Sequence, residues 1–102
     1  MISETFIRTC AKHDRLVLSK HALYKMSKEG ITYGQVREAL VSGEVMETQH
    51  SGKDMKVLFQ QGGDRGPEFY VVVAACDPPD VVTVCRVWED IWILSGRTLR
   101  RR

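Results

Sequence analysis

The strongest constraint on this chain is a change of hydrophobic period at Gly43. Ahead of it, apolar residues recur at helical spacing, as Phe6, Ile7 and Cys10, then Ala22, Leu23 and Met26, then Val36, Ala39 and Leu40. Beyond it the pattern is that of strands: "VMETQH", "MKVLFQQ", "EFYVVVAAC" and "VVTVCRVW", separated by the turn and loop segments "SGKD", "GGDRGP" and "DPPD". The third strand is apolar on both faces and belongs at the centre of a sheet. Helices that are all spent before consecutive, tightly linked strands begin predict an α+β fold, with N-terminal helices packed on a four-stranded antiparallel sheet.

Local signals place the helix ends. Ser3 can cap the first helix, and Ser19 is a good N-cap for the second, with Leu18 and Leu23 spaced as a hydrophobic staple. Gly30 supplies a left-handed stop, with Ile31 beyond it in reach of Met26. Thr32 and Gln35 have capping-box spacing for the third helix, Ile31 and Val36 form a second staple, and Gly43 ends the helix. Ala22, Leu23 and Met26 are expected to pack on the sheet. The chain of 102 residues is long enough for one domain and too short for two. Residues 1–15 read as an N-terminal helical extension, 16–94 as the α+β domain and 95–102 as a basic tail. The closing "IWILSGRTLRRR" admits a short strand or a helix before that tail.

The net charge of +2 is no argument for nucleic acid, because Arg97, Arg100, Arg101 and Arg102 carry four positive charges at the end and the rest of the chain stands at −2. Cys10, Cys76 and Cys85 are odd in number and form no CxxC pair, so no disulfide framework is expected. Met1 opens a mixed polar segment rather than a basic and then apolar leader, and the longest apolar run, Val71 to Cys76, is far too short for a membrane span. These features lead to the expectation of a cytoplasmic protein with no membrane partner.

The candidate chemistry gathers on the second helix. His21, Lys25 and Lys28 follow i, i+4, i+7 spacing and share one side, flanked by Lys20 and Tyr24. Lysines near a helix N-terminus oppose its dipole unless an anion is bound there, which hints at a phosphate ligand. RNA can be cut without metal when a base takes the ribose 2′-OH proton, a cation stabilises the charge on phosphorus and an acid protonates the leaving 5′-oxygen. Histidine suits the proton transfer and lysine or arginine the charge. On the last strand Thr83 and Cys85 share a face, and Arg86 points the other way into an otherwise apolar run, where a buried guanidinium needs a partner. A structural reading stands beside the chemical one: a histidine among lysines on an outer helix side is ordinarily a solvated side chain, and His13 and His50 carry less signal still.

Other chemistries are excluded. Cys10 and His13 have CxxH spacing, but no second ligand pair follows at metal-finger distance, so no metal or cofactor is expected. "GGDRGP" lacks the Lys-Ser/Thr ending of a phosphate loop and precedes a strand rather than a helix. The arginine tail suits RNA phosphates and equally a solubilising end.

The stretch "LSKHALYKMSKEGITYGQVREALVSGEVMET", with "EFYVVVAAC" and "VVTVCRVWE", resembles the domain-of-unknown-function family numbered 4258. Ser19, His21, Ala22, Lys25, Met26, Gly30, Ile31, Thr32, Gly43 and Thr83 match its pattern, over about Leu16 to Trp88. The resemblance implies a fold like that of the RelE, barnase and colicin ribonuclease toxins. It also implies endoribonuclease activity of toxin type, with RNA and a cognate antitoxin protein as partners. Self-association as a homodimer stays open. It places His21, Lys25 and Thr83 in the active site, and Lys20, Lys28 and Arg86 are the accompanying phosphate-binding candidates. Two positions depart from the pattern. Lys25 stands where arginine is usual and loses bidentate phosphate recognition, and Cys85 stands where an aromatic commonly follows the strand motif. The rival reading is a non-catalytic RNA- or protein-binding module on the same fold. That reading includes a phage-borne or effector-type inhibitor anchored by Trp88 and Trp92.

Overall fold

The computed structural model describes residues 4–51, 54–63, 66–86, 92–95 and 98–101. Ser3, Trp88 and the centre of the "GGDRGP" loop fall outside them. The elements in chain order are α1 (Glu4–Lys12), β1 (Val17–Leu18), α2 (Lys20–Glu29), α3 (Tyr33–Ser42), β2 (Glu44–Ser51), β3 (Asp54–Gly63), β4 (Gly66–Ala74), β5 (Asp80–Arg86), β6 (Trp92–Ser95) and β7 (Thr98–Arg101). Three helices precede the main strands, as the α+β reading predicts.

The sheet differs from the expectation in count and sense. It has five strands in the order β1-β5-β4-β3-β2, and it is mixed. The β2–β3, β3–β4 and β4–β5 pairs are antiparallel, while β1 runs parallel to β5, with Val17 opposite Asp80 and Leu18 opposite Val81. The Val17 N–H donates to the Pro79 carbonyl at 2.9 Å and the Ser19 N–H to the Val81 carbonyl at 3.1 Å. A two-residue strand has no period to read, which is why "RLVL" does not announce it. β6 and β7 form a separate antiparallel pair, so backbone from Thr98 to Arg101 in the expected tail is a strand.

Helix ends follow the local signals. Ser19 is extended and accepts from the Ala22 N–H at 2.9 Å. Gly30 is left-handed at φ 68°, and Thr32 and Gln35 form the reciprocal capping box. Gly43 stops α3 for another reason. Its φ is −72°, so no left-handed turn is involved, but a Cβ there would collide with the carbonyls of Gln60 and Ala39.

All three helices lie on one face of the sheet. α2 runs along β5, α3 lies over β3 and β4, and α1 packs on α3. Between the layers Ile7, Ala11, Ala22, Met26, Val36, Leu40, Phe59, Phe69, Val71, Val73, Val81 and Val84 form the main core. α1, set apart above as an extension, contributes Ile7, Cys10 and Ala11 to the buried interior. Leu23 does not join the core: it is 50% exposed, about a quarter-turn away from Ala22 on the far side of Met26. On the opposite face Leu58 is buried against Met46, Tyr70 and Val72. The register of β4 and β5 shifts between Val72 and Val73, so that Val73 faces Val81 and Val72 faces Thr83, leaving Val82 as the extra residue of a bulge. The bulge lets Val81 and Val84, three apart, both face the helices.

Each helix C-terminus meets an arginine from another element. Arg8 of α1 donates to the carbonyls of Leu40 (3.2 Å), Val41 (3.1 Å) and Gly43 (2.7 Å) at the end of α3, with its guanidinium 5.1 Å from the Phe59 ring centre. Arg37 of α3 donates to Ala11 (3.1 Å) and Lys12 (2.8 Å) at the end of α1. Arg86 of β5 donates to the Glu29 carbonyl at 2.7 Å, at the end of α2. Orphan carbonyls and the negative end of each helix are satisfied together. At the same corner as Arg37, the Tyr33 hydroxyl donates to Asp14 at 3.0 Å. Partial burial, then that hydrogen bond and the Asp14 charge, raise the Tyr33 phenol above its ordinary 10.0, against a smaller lowering by Arg37.

Candidate functional site

Two bonds from one side chain fix where α2 begins. The Ser19 hydroxyl accepts from the Ala22 N–H and donates to the Val82 carbonyl at 2.8 Å, so the cap also ties the helix to β5. At the other end Arg86 holds Glu29. With Ala22 and Met26 packed on the sheet, the azimuth of every other α2 residue is set.

Two rows at i, i+4, i+8 spacing then share the outer surface. One is His21, Lys25, Glu29, lying beside the buried stripe. The other is Lys20, Tyr24, Lys28, lying further out. His21 is exposed and makes no hydrogen bond or ion pair with the described residues. Lys25 is different: its ammonium lies 3.5 Å from a Glu29 carboxylate oxygen, and the two side chains are only 19% and 20% exposed. Glu29 thus gathers Lys25 on its carboxylate and Arg86 on its carbonyl, which brings two of the expected phosphate ligands to one end of the helix. Lys20 and Lys28 are exposed, and the Lys28 ammonium sits 5.9 Å from the Tyr24 ring centre. Tyr24 is itself 60% exposed.

Thr83 stands apart from this group. It pairs with Val72 and its hydroxyl lies 3.8 Å from the Cys85 sulfur, while Cys85 pairs with Tyr70. Val72 and Tyr70 belong to the face opposite the helices. Thr83 and Cys85 do share a face and Arg86 does point the other way, as alternation predicts, but β5 itself separates Thr83 from His21 and Lys25.

The remaining candidates do not converge. Cys10 is buried whereas His13 is exposed, and no three potential metal ligands come together among the described residues. The His50 side chain and those of the arginine tail lie outside the described residues, as does that of Trp92. Glu29 was missed in the sequence, although Lys25–Glu29 spacing at i, i+4 was there to be read. Among the described residues the surface offers the unpaired His21 imidazole, the exposed Lys20 and Lys28 ammonium groups and the exposed Tyr24 ring, with the Glu29 carboxylate already paired to Lys25.

A family model described as "Domain of unknown function (DUF4258)" matches residues 18–86. The match begins at the strand before α2, runs through β5 and ends at Arg86, leaving α1 and the β6–β7 pair outside. No curated protein and no solved structure matches.

Proposed function

The chain belongs to the DUF4258 family, and we propose that it is a metal-independent endoribonuclease of the toxin type, related in fold to the RelE and barnase ribonucleases and working on RNA in the cytoplasm. The observation that carries this reading is His21: an exposed imidazole, free of other partners among the described residues, one helical turn from Lys25 and beside the row that carries Lys20 and Lys28. His21 takes the proton from a ribose 2′-OH as the oxygen attacks the adjacent phosphorus; the P–O5′ bond breaks, the 5′-oxygen leaves as a hydroxyl with a proton from water, and the 2′,3′-cyclic phosphate remains. Lys25, with Lys20 and Lys28 outside it, carries the charge that builds on the phosphate. Arg86 supports the site through the end of α2, and Thr83 meets only a strand that wraps the β5 edge. A cognate antitoxin covering this cationic face would silence it.

The test is direct. Purified protein incubated with single-stranded RNA in EDTA should leave 2′,3′-cyclic phosphate ends, and His21→Ala should lower the rate by about 100-fold or more. Absence of cleavage by the wild type across diverse RNAs, ribosome-bound mRNA included, would sink the reading.

One observation favours the rival, a non-catalytic binding module: among the described residues His21 has no oriented hydrogen-bond partner of the kind a general base commonly has, and Lys25 already serves Glu29. RNA binding that survives His21→Ala, with no products from either protein, would establish that reading instead.

A further inference from the structure

We propose that Tyr24 is a stacking platform for an unpaired nucleobase, so that the substrate is single-stranded RNA held along the outer row of α2. The inference rests on the RNA-binding reading above and names its substrate class. Among the described residues only Val17, Leu23 and Tyr24 are large hydrophobics left exposed, and Tyr24 is the most exposed of them at 60%. No core contact accounts for the ring in that position. Instead it sits between two cations at i−4 and i+4, Lys20 and Lys28, with the Lys28 ammonium 5.9 Å from its centre. Lys20 and Lys28 are eight residues apart, a helix rise of about 12 Å, and that is close to two phosphate steps of an extended strand. Cation, aromatic and cation in that order offer phosphate, base and phosphate sites along a single strand.

The row also carries little to repel a phosphate. The one acidic side chain on α2, Glu29, is only 20% exposed and is paired with Lys25. His21 is three residues before Tyr24 and therefore adjacent on the helix surface. A base stacked on Tyr24 brings its own ribose beside His21, which would couple base capture to the point of attack. A duplex keeps its bases inside and presents nothing to the ring. Single-stranded RNA is recognised in this manner because its bases can be splayed onto aromatic side chains.

The test uses a fluorescein-labelled 12-nucleotide 2′-O-methyl RNA without self-complementarity, which has no 2′-OH to react, and the same strand annealed to its complement. Binding to the full chain is read by anisotropy at several salt concentrations. The single strand should bind at least about tenfold more tightly than the duplex, and Tyr24→Ala should weaken single-strand binding by about tenfold or more with the salt slope unchanged. Tyr24→Phe should bind within about twofold of wild type, because the ring and not the hydroxyl does the work. Lys20→Ala and Lys28→Ala should each lower the salt slope by about 0.7. Equal binding of single strand and duplex, or a Tyr24→Ala protein that binds as wild type does, overturns the platform and leaves the ribonuclease reading standing. Failure of the wild-type chain to bind either probe overturns the platform as well, and the ribonuclease reading is then decided by the cleavage assay above.

Discussion

Tyr33 gives the clearest pH prediction available from a single side chain. Its phenol is raised above 10.0 by burial and by the hydrogen bond to Asp14, so the folded chain holds this proton more tightly than the unfolded one. Stability from that difference is fully present below pH 10 and is lost as pH rises through the higher folded value. Thermal melts from pH 8 to pH 11.5 should therefore show wild type falling more steeply above pH 10 than Tyr33→Phe. At pH 8 the variant should be less stable by about 1 kcal/mol, the hydrogen bond having gone, and the two curves should converge at high pH. Parallel curves would remove Tyr33 as the source. Single residues were also where the sequence was most readable. Ser19, Gly30, Thr32, Gln35 and Gly43 all announced themselves, because capping and close backbone approach depend on a few neighbouring atoms. What a lone residue does not reveal is its distant partner. Nothing near Arg86 in sequence pointed to the Glu29 carbonyl, and nothing near Arg8 pointed to the end of α3.

Those arginines act on whole elements. α2 has a good cap at one end and, at the other, a single guanidinium bond of 2.7 Å to Glu29 reinforcing the Gly30 stop. Arg86→Ala should destabilise the fold by about 1.5–3 kcal/mol, the usual range for a hydrogen bond to a charged group. Arg86→Lys should recover part of that through charge at the helix end. Denaturant unfolding measures both. If Arg86 works through α2 alone, the salt slope of RNA binding stays at the wild-type value in Arg86→Ala. A drop of about 0.7 would instead make it a phosphate ligand. The long elements were legible because period survives over several turns or several pleats. β1 was not, because two residues carry no period. The bulge at Val82 was hidden too, since adding one residue to one strand leaves a run such as "VVTVC" looking unbroken. The bulge matters to the site reading: it sets which face Thr83 takes, and so separates Thr83 from the α2 residues that the resemblance had grouped with it.

For the whole molecule, the order β1-β5-β4-β3-β2 makes the five-stranded sheet complete by Arg86. Among the residues whose side chains are described, both buried clusters draw on residues between Ile7 and Val84, and among the described residues β6 pairs with β7, whose backbone neighbours β2 and β4. A chain ending at residue 91 should therefore still unfold in a single thermal transition. It would lose Arg97, Arg100, Arg101 and Arg102 with no acid among the removed residues, so its net charge would pass from +2 to −2. If the tail grips phosphate while α2 stacks the base, the shortened chain should bind RNA more weakly, with a salt slope lower by up to about 3, at about 0.7 per cation. The fold-loss caused by Tyr24→Ala should be the same in the short chain as in the full one, because stacking and distant phosphate contacts are independent and their free energies add. A short chain that melts without cooperativity would instead show the hairpin to be part of the core. A Tyr24 effect that disappears with the tail would move the base-binding surface away from α2.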